Sequence, residues 1–310
     1  MYFRINFTTN NILNCSFSED GQYLGCGDDS GVISLWQSEN ISQNYNSFKL
    51  HNSSINRVLF SSDLLYTAAS DGNCKIVDFK NCKEIRTLKN SGSIHVNDID
   101  CYNQTIITAN NNGTVKLWDK RLKLPIESIS HGIHLKISKF INMHYMFMTA
   151  GILSEIFIWD LRRIEKRRLE TRRVSQKNLH IASMTVSKDR QSFLSSDSAG
   201  NFFQLFMNNP IRPAKFFDIE VKLLSKCKFS KNVIKTTSDR RGKFFLYGNE
   251  NGFVLILSKK NAKIIHNIKE HTGKVNDINF HPNAEIFCSC GSDNSLVFRT
   301  IRKDQLFYEN

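Results

Sequence analysis

Histidine, hydroxyl and carboxylate residues recur in an order that nucleophilic catalysis could use: His271, Ser289 and Asp293 near one end, His51, Thr67 and Asp71 near the other. In a triad the imidazole takes the hydroxyl proton, the carboxylate holds its tautomer, and nearby donors stabilise the oxyanion. One active site needs one such set. Here the order repeats, and Thr108 with Asn112 and Trp118 supplies most of a third copy. Repetition favours a structural use, in which each set pairs the buried polar groups of one unit. The chain has no GxxxxGK[ST] phosphate loop, no HExxH and no GxSxG, so a non-enzyme is expected.

Metal chemistry has as little support. The cysteines are Cys15, Cys26, Cys74, Cys82, Cys101, Cys227, Cys288 and Cys290, scattered without the CxxC pairs of zinc modules or a compact disulfide framework. Cys288 and Cys290 would share one strand face, but no second Cys or His pair lies near them in sequence to complete a tetrahedral site. Reduced thiols, with no metal and no cofactor, are the expectation.

Charge is the remaining chemical signal. Lys and Arg number 42 against 29 Asp and Glu, a formal charge of +13, which favours anionic partners. The densest basic run is RRIEKRRLETRR at 162–173, holding Arg162, Arg163, Lys166, Arg167, Arg168, Arg172 and Arg173. It suits an acidic protein surface or weak contact with RNA phosphates, and without interleaved aromatics it is no stacking platform for single strands. A second run, KNVIKTTSDRRGK at 231–243, reads as an insertion between the first and second strands of a late unit. Trp118-Asp119-Lys120-Arg121 and Trp159-Asp160-Leu161-Arg162 share the form WDxR, which places Arg121 and Arg162, planar bidentate donors, at matching positions.

What must position these residues is a repeat. Trp36, Trp118 and Trp159 are separated by 82 and 41 residues, and 82 is twice 41. A step of 41 from Trp36 reaches Val77 in DGNCKIVDF, so Asp78, Asp119 and Asp160 keep one register. Each unit runs from an alternating apolar stretch through a turn to a second β-rich run, then a Gly/Asn/Asp/Ser turn and a third run. These are strand and hairpin signals with no helical period between them. Looser units end their third runs near 205, 257 and 299, and LLSKCKFS reads as the opening of the sixth, so seven units fill 310 residues. Hydrophobic residues make up 40% of the chain, enough for a large core. No run approaches the ~20 apolar residues of a membrane span, and Met1–Thr9 lacks the charged and apolar regions of a secretory leader. Membrane and secreted classes are not expected.

A period of about 40–45 residues with four strands per unit is the WD40 propeller signature, and this chain resembles the WD40-repeat family over residues 1–310. VNDINFHPN and NNGTVKLWD are its most family-like stretches, and Glu270-His271 stands where Gly-His is usual. The resemblance implies one all-β domain, a seven-bladed propeller whose third strands end near 36, 77, 118, 159, 205, 257 and 299. It implies a ring closed by Tyr2–Phe7 as the outer strand of the blade built from 271–301. It makes Trp36, Asp78, Trp118, Asp119, Trp159 and Asp160 structural WD positions. His51, Thr67, Asp71, Thr108, His271, Ser289 and Asp293 become a hydrogen-bond network tying the loop before a blade to its second and third strands. The network is degraded: Ser30 stands where Trp36 would find an Asp, Leu153 faces Trp159, and Arg299 takes the Trp place of the seventh unit.

Within the family, the order NNGTVKLWDKR, IFIWDLR, FLSSDSAGN, Asn209-Pro210-Ile211-Arg212-Pro213 and a closing VNDINFHPN unit looks most like the WD-repeat subunits of the spliceosomal U5 small nuclear ribonucleoprotein. That resemblance implies a nuclear, non-catalytic scaffold. It would be a monomeric propeller within a larger complex, touching large spliceosomal proteins and meeting RNA indirectly or weakly. Two other roles fit the same residues. WDxR arginines could dock the adaptor of a cullin-RING ubiquitin ligase, or the chain could be a generic WD40 scaffold of another nuclear ribonucleoprotein or a signalling complex. In each case the candidate surface is Arg121, Arg162 and the basic run that follows.

Overall fold

The computed structural model describes residues 2–6, 10–38, 44–90, 94–141, 145–162, 168–173, 179–186, 192–208, 218–226, 233–239, 243–258 and 264–301. Within them every regular element is a β-strand. After β1 (Tyr2–Asn6), blade 1 holds β2 (Ile12–Phe17), β3 (Tyr23–Asp28), β4 (Val32–Gln37) and β5 (Asn44–Lys49). Blade 2 holds β6 (Ile55–Ser61), β7 (Leu64–Ala69), β8 (Asn73–Asp78) and β9 (Lys83–Lys89). Blade 3 holds β10 (Val96–Tyr102), β11 (Thr105–Asn110), β12 (Thr114–Asp119) and β13 (Glu127–Ser130). Blade 4 holds β14 (Leu135–Phe140), β15 (Met146–Gly151), β16 (Glu155–Asp160) and β17 (Arg168–Arg173). Blade 5 holds β18 (Ile181–Val186), β19 (Ser192–Asp197), β20 (Asn201–Asn208) and β21 (Asp218–Lys226). Blade 6 holds β22 (Val233–Ser238), β23 (Phe244–Asn249), β24 (Phe253–Ser258) and β25 (Ile264–Lys269). Blade 7 holds β26 (Val275–Phe280), β27 (Ile286–Gly291) and β28 (Ser295–Thr300), and β1 completes it.

All pairings are antiparallel, and the first strands of successive blades lie side by side around the axis, β26 meeting β2 to close the circle. The arrangement is an all-β, seven-bladed propeller. Its second strands are buried almost without interruption: β11 (TIITAN) from its second residue and β15 (MFMTAG) throughout. A sheet packed on both faces needs apolar side chains in both directions. Outer strands face water on one side and show it, as in β9 (KEIRTLK) and β25 (IIHNIK).

The turns are set by glycine. Gly31, Gly72 and Gly113 stand 41 apart with φ of +90°, +83° and +82°, the left-handed region where a Cβ is costly. A Cβ on Gly113 would also lie 2.4 Å from the Ile133 carbonyl oxygen. The turn therefore brings the next loop against the hairpin tip.

Tryptophans are packed between blades. Trp118 is fully buried with Tyr66, Ile76 and Leu88 of blade 2, and Trp36 lies with Cys288, Leu296 and Phe298 of blade 7. Trp159 stacks on Phe147 at 5.9 Å and 7° and shares a cluster with Ile107 and Val115 of blade 3. Ring closure follows the expectation as far as Asn6: β1 pairs with β28 from Tyr2↔Arg299 to Asn6↔Ser295, while Phe7 lies outside the described residues.

One boundary differs. LLSKCKFS does not open the sixth blade: its first four residues end β21, which pairs with β20 as the outer strand of blade 5. The first strand of blade 6 is β22, so residues 233–238 of the basic run form a strand beside the axis rather than an insertion after it. The long hairpin of β20 (8 residues) and β21 (9 residues) absorbs part of the wide interval instead. In an alternating run such as DIEVKLLSK, periodicity identifies a strand without saying which neighbour it pairs with.

Two outcomes follow. Deleting residues 1–8 should leave β28 as an open edge, seen as a lower thermal midpoint and concentration-dependent association in analytical ultracentrifugation. Trp118→Ala should cost roughly 3–5 kcal/mol in denaturant unfolding, the range for large aromatic truncations in a core; an unmoved midpoint would contradict its packing role.

Candidate interaction site

The triad-like sets do assemble. His51 Nε2 lies 2.7 Å from Thr67 Oγ1, and its Nδ1 lies 3.0 Å from Asp71. His271 Nε2 lies 2.9 Å from Ser289 Oγ, and its Nδ1 lies 2.9 Å from Asp293. Both hydroxyls are fully buried, so no substrate reaches them. Each carboxylate is also committed elsewhere. Asp71 accepts from the Asn52 and Asn73 backbone N–H groups, and Asp293 from Thr272 N–H, Ser295 and Arg4. The sets thus tie the loop before a blade to its second strand and hairpin turn.

Among the described residues Thr108 has no histidine partner of this kind; it accepts the indole N–H of Trp118 at 3.2 Å. Blade 4 holds a member that the sequence reading missed. His131 Nε2 lies 3.3 Å from Thr149 Oγ1, which accepts the Trp159 indole N–H at 2.9 Å, and the His131 ring packs on Trp159. Its signal was present, since His131 precedes Thr149 by 18 residues, as His271 precedes Ser289. Arg299, at the seventh Trp place, pairs with Glu270 and lies over the Tyr2 ring.

The aspartates of the WD positions have a separate task. Asp78, Asp119 and Asp160 each accept the backbone N–H two residues on, at 3.1, 2.8 and 2.9 Å, an Asx turn that leads the chain out of the third strand. In both WDxR sequences the arginine folds back on this carboxylate. Arg121 Nε and Nη2 lie 2.9 and 2.7 Å from Asp119, and Arg162 Nε and Nη2 lie 3.0 and 2.7 Å from Asp160. Hydrogen bonds from Arg121 hold the Asp119 carboxyl down at about 2. Arg162 also lies over the Tyr145 ring at 3.6 Å. Both arginines are exposed, and each is paired with the carboxylate of its own turn. Arg163, Lys166 and Arg167 lie outside the described residues, whereas Arg168, Arg172 and Arg173 fall on β17, the outer edge of blade 4.

Around the axis, the first strands stitch blade to blade. Asn14, Asn56, Asn97 and Asn276 each donate through Nδ2 to a backbone carbonyl of the next blade: Ile55, Val96, Leu135 and Ile12. Asp98 accepts the Ser138 N–H and Asp277 the Cys15 N–H, each across the same kind of boundary. Arg57 lies 3.6 Å from Asp98 and 3.8 Å from Asp277, and Lys139 lies 2.6 Å from Asp98. These groups line an axial cavity of about 350 Å³. Burial pushes Lys139 down and Asp100 up, whereas for Arg57 the charges of Asp98, Asp277 and Asp100 outweigh burial and raise it. VND in blades 3 and 7 was a visible signal for these stitches. Ring closure also brings Cys15 and Cys26 into one buried cluster with Cys288 and Cys290, a proximity invisible in sequence. Burial raises the last three thiols and keeps them protonated.

Comparison with known proteins agrees with this geometry. Residues 3–37, 42–78, 82–119 and 262–298 match the WD domain, G-beta repeat (WD40) family. The chain thus carries WD40 repeats within its seven-bladed β-propeller. Among curated relatives, it is 26% identical over 296 residues to the U5 small nuclear ribonucleoprotein 40 kDa protein of Dictyostelium discoideum, covering 94% of this chain and 82% of that one. It is 25% identical over 304 residues to the pre-mRNA-splicing factor cwf17 of Schizosaccharomyces pombe, covering 93% and 84%. The human U5 40 kDa protein matches at 25% over 212 residues, which is 64% of this chain and 54% of the relative. In fold, the chain superposes on the crystal structure of the Cps50 (Swd1) β-propeller domain of Myceliophteria thermophila with a TM-score of 0.83 at 12% identity, covering 97% and 100%.

The histidine networks make stability pH-dependent. Burial depresses His51 and His271 below the ordinary value, over the opposing pull of Asp71 and Asp293. Below about 6.5 the unfolded chain therefore binds protons that the folded chain refuses, and stability falls as pH drops. Hydrogen bonds from Ser295 and His271 outweigh burial and bring Asp293 down to about 2, so its contribution is present above about 3.9 and is lost on further acidification. We expect the thermal midpoint to fall between about pH 7.5 and 5.5. A His51→Asn, His271→Asn double variant should start lower but lose much of that slope. Each His→Ala should cost about 1–3 kcal/mol at neutral pH by leaving buried partners unsatisfied.

Proposed function

We propose that this chain is a non-catalytic protein-interaction scaffold of the pre-mRNA splicing machinery, acting in the nucleus as a component of the U5 small nuclear ribonucleoprotein. The observation that carries this reading is the extent of the match to two relatives named for splicing, which spans more than nine-tenths of this chain. A fold match at 12% identity supplies the propeller but no role. The buried hydroxyls support a scaffold, since the sets that resemble an active site are consumed in holding loops to strands. In this role the propeller enters the larger complex as a monomer and binds other proteins on its rims and flanks, while RNA contact is indirect or confined to phosphates.

Affinity purification of the tagged full-length chain from nuclear extract tests the proposal. U5 snRNA and large spliceosomal proteins should be recovered together, and the RNA should be lost when those proteins are stripped at high salt. If a cullin-RING adaptor is recovered without snRNA, and is lost in an Arg121→Ala, Arg162→Ala variant, the ligase reading replaces this one. Recovery of neither leaves a scaffold of another complex.

A further inference from the structure

The most unusual surface lies on the outer flank of blades 2 and 3, away from the axis. Eight large apolar side chains are exposed among the described residues, and four of them are Leu124 (75%), Ile126 (59%), Leu122 (52%) and Ile85 (52%). Three sit on the connector between β12 and β13, and the fourth on β9 of the neighbouring blade. Arg86, next to Ile85, donates from Nη1 to the Arg121 carbonyl at 2.5 Å, which fastens β9 to that connector. Ile85 falls where the β8–β9 register slips, so it has no cross-strand partner. A single exposed leucine is ordinary, but a cluster on one flank marks a contact surface.

The connector is also held in shape. Arg121 chelates Asp119, Leu122 N–H donates to the Asp119 carbonyl at 3.0 Å, and Ile126 N–H donates to the Leu117 carbonyl at 2.7 Å. A surface ordered before binding loses little entropy on association. Its acidic groups are engaged, Glu127 among them. Glu84 is paired with Lys75 and Asp119 with Arg121, whereas Lys83 and Lys123 stand exposed beside the apolar residues. A second copy of this chain would bring like charge to the flank, and RNA would leave the leucines uncovered.

We propose that Ile85, Leu122, Leu124 and Ile126, framed by Lys83 and Lys123, dock an acidic segment of a partner protein that also carries aliphatic side chains. Leucines supply the buried contact, and lysines select carboxylates and orient the segment. Arg121 acts here as a positioning residue for the connector. The inference rests on the scaffold reading without depending on which complex the chain joins.

The test is zero-length carbodiimide coupling, which joins amines only to touching carboxylates, applied to the complex purified through the tagged full-length chain and read by mass spectrometry. Lys83 or Lys123 should couple to Asp or Glu of one partner protein. A Leu122→Asp, Leu124→Asp variant with an unchanged thermal midpoint should recover that partner roughly tenfold less, the scale of a lost hot spot, while other partners remain. If that variant is unstable, Lys83→Glu, Lys123→Glu should give the same selective loss. Coupling only within the chain, or full recovery of the partner by a folded variant, would overturn the proposal. Partner identity and snRNA content test the splicing assignment, so the two ideas fail separately.

Discussion

No blade of this protein can bury its own surface. Each is a thin sheet with apolar residues on both faces, so its core exists only where it meets the blades on either side. Stability in such an array is shared between neighbours, and an open array would leave two apolar faces in water. Pairing β1 with β28 therefore governs the rest: it completes the seventh sheet and joins the two ends of the chain in one blade. Arg4, reaching Asp293 and Ser295, adds a polar tie from the same strand to the last histidine network.

The polar residues are placed to serve that closure. At the boundaries between first strands, backbone carbonyls of one blade accept from asparagine side chains of the blade before it. Histidine sets do the same for the loops, at a cost in acid, because a buried imidazole that must stay neutral resists protonation. Charges along the axis offset one another, with Arg57 between Asp98 and Asp277. The groups most suggestive of chemistry are thus already engaged in structure.

What remains for recognition is the outer surface. A closed ring is rigid, and positions on its connectors can vary without disturbing the cores between blades. The WDxR arginines show how local the constraints are: each satisfies the carboxylate of its own turn. By contrast, the flank joining β9 to the β12–β13 connector gathers apolar and basic residues from two blades onto one supported surface.

Repeat length and turn chemistry were legible from residues alone. The register of Asp78, Asp119 and Asp160, with Gly31, Gly72 and Gly113 in the same step, specifies strands and turns because each requirement is local: an Asx turn, a positive φ, an alternating run. Histidine spacing was legible in part, and His131 carried the same interval without an Asp after it to draw notice. The start of blade 6 was misplaced because strand periodicity does not name a pairing partner. Contacts between blades were beyond reach: four cysteines from opposite ends of the chain share one core, and Arg86 bonds to a connector residue 35 positions later. Local rules of backbone and turn act within a unit and can be read along the chain, whereas which surfaces touch or stay exposed depends on how the units close around the axis, and only the folded ring decides it.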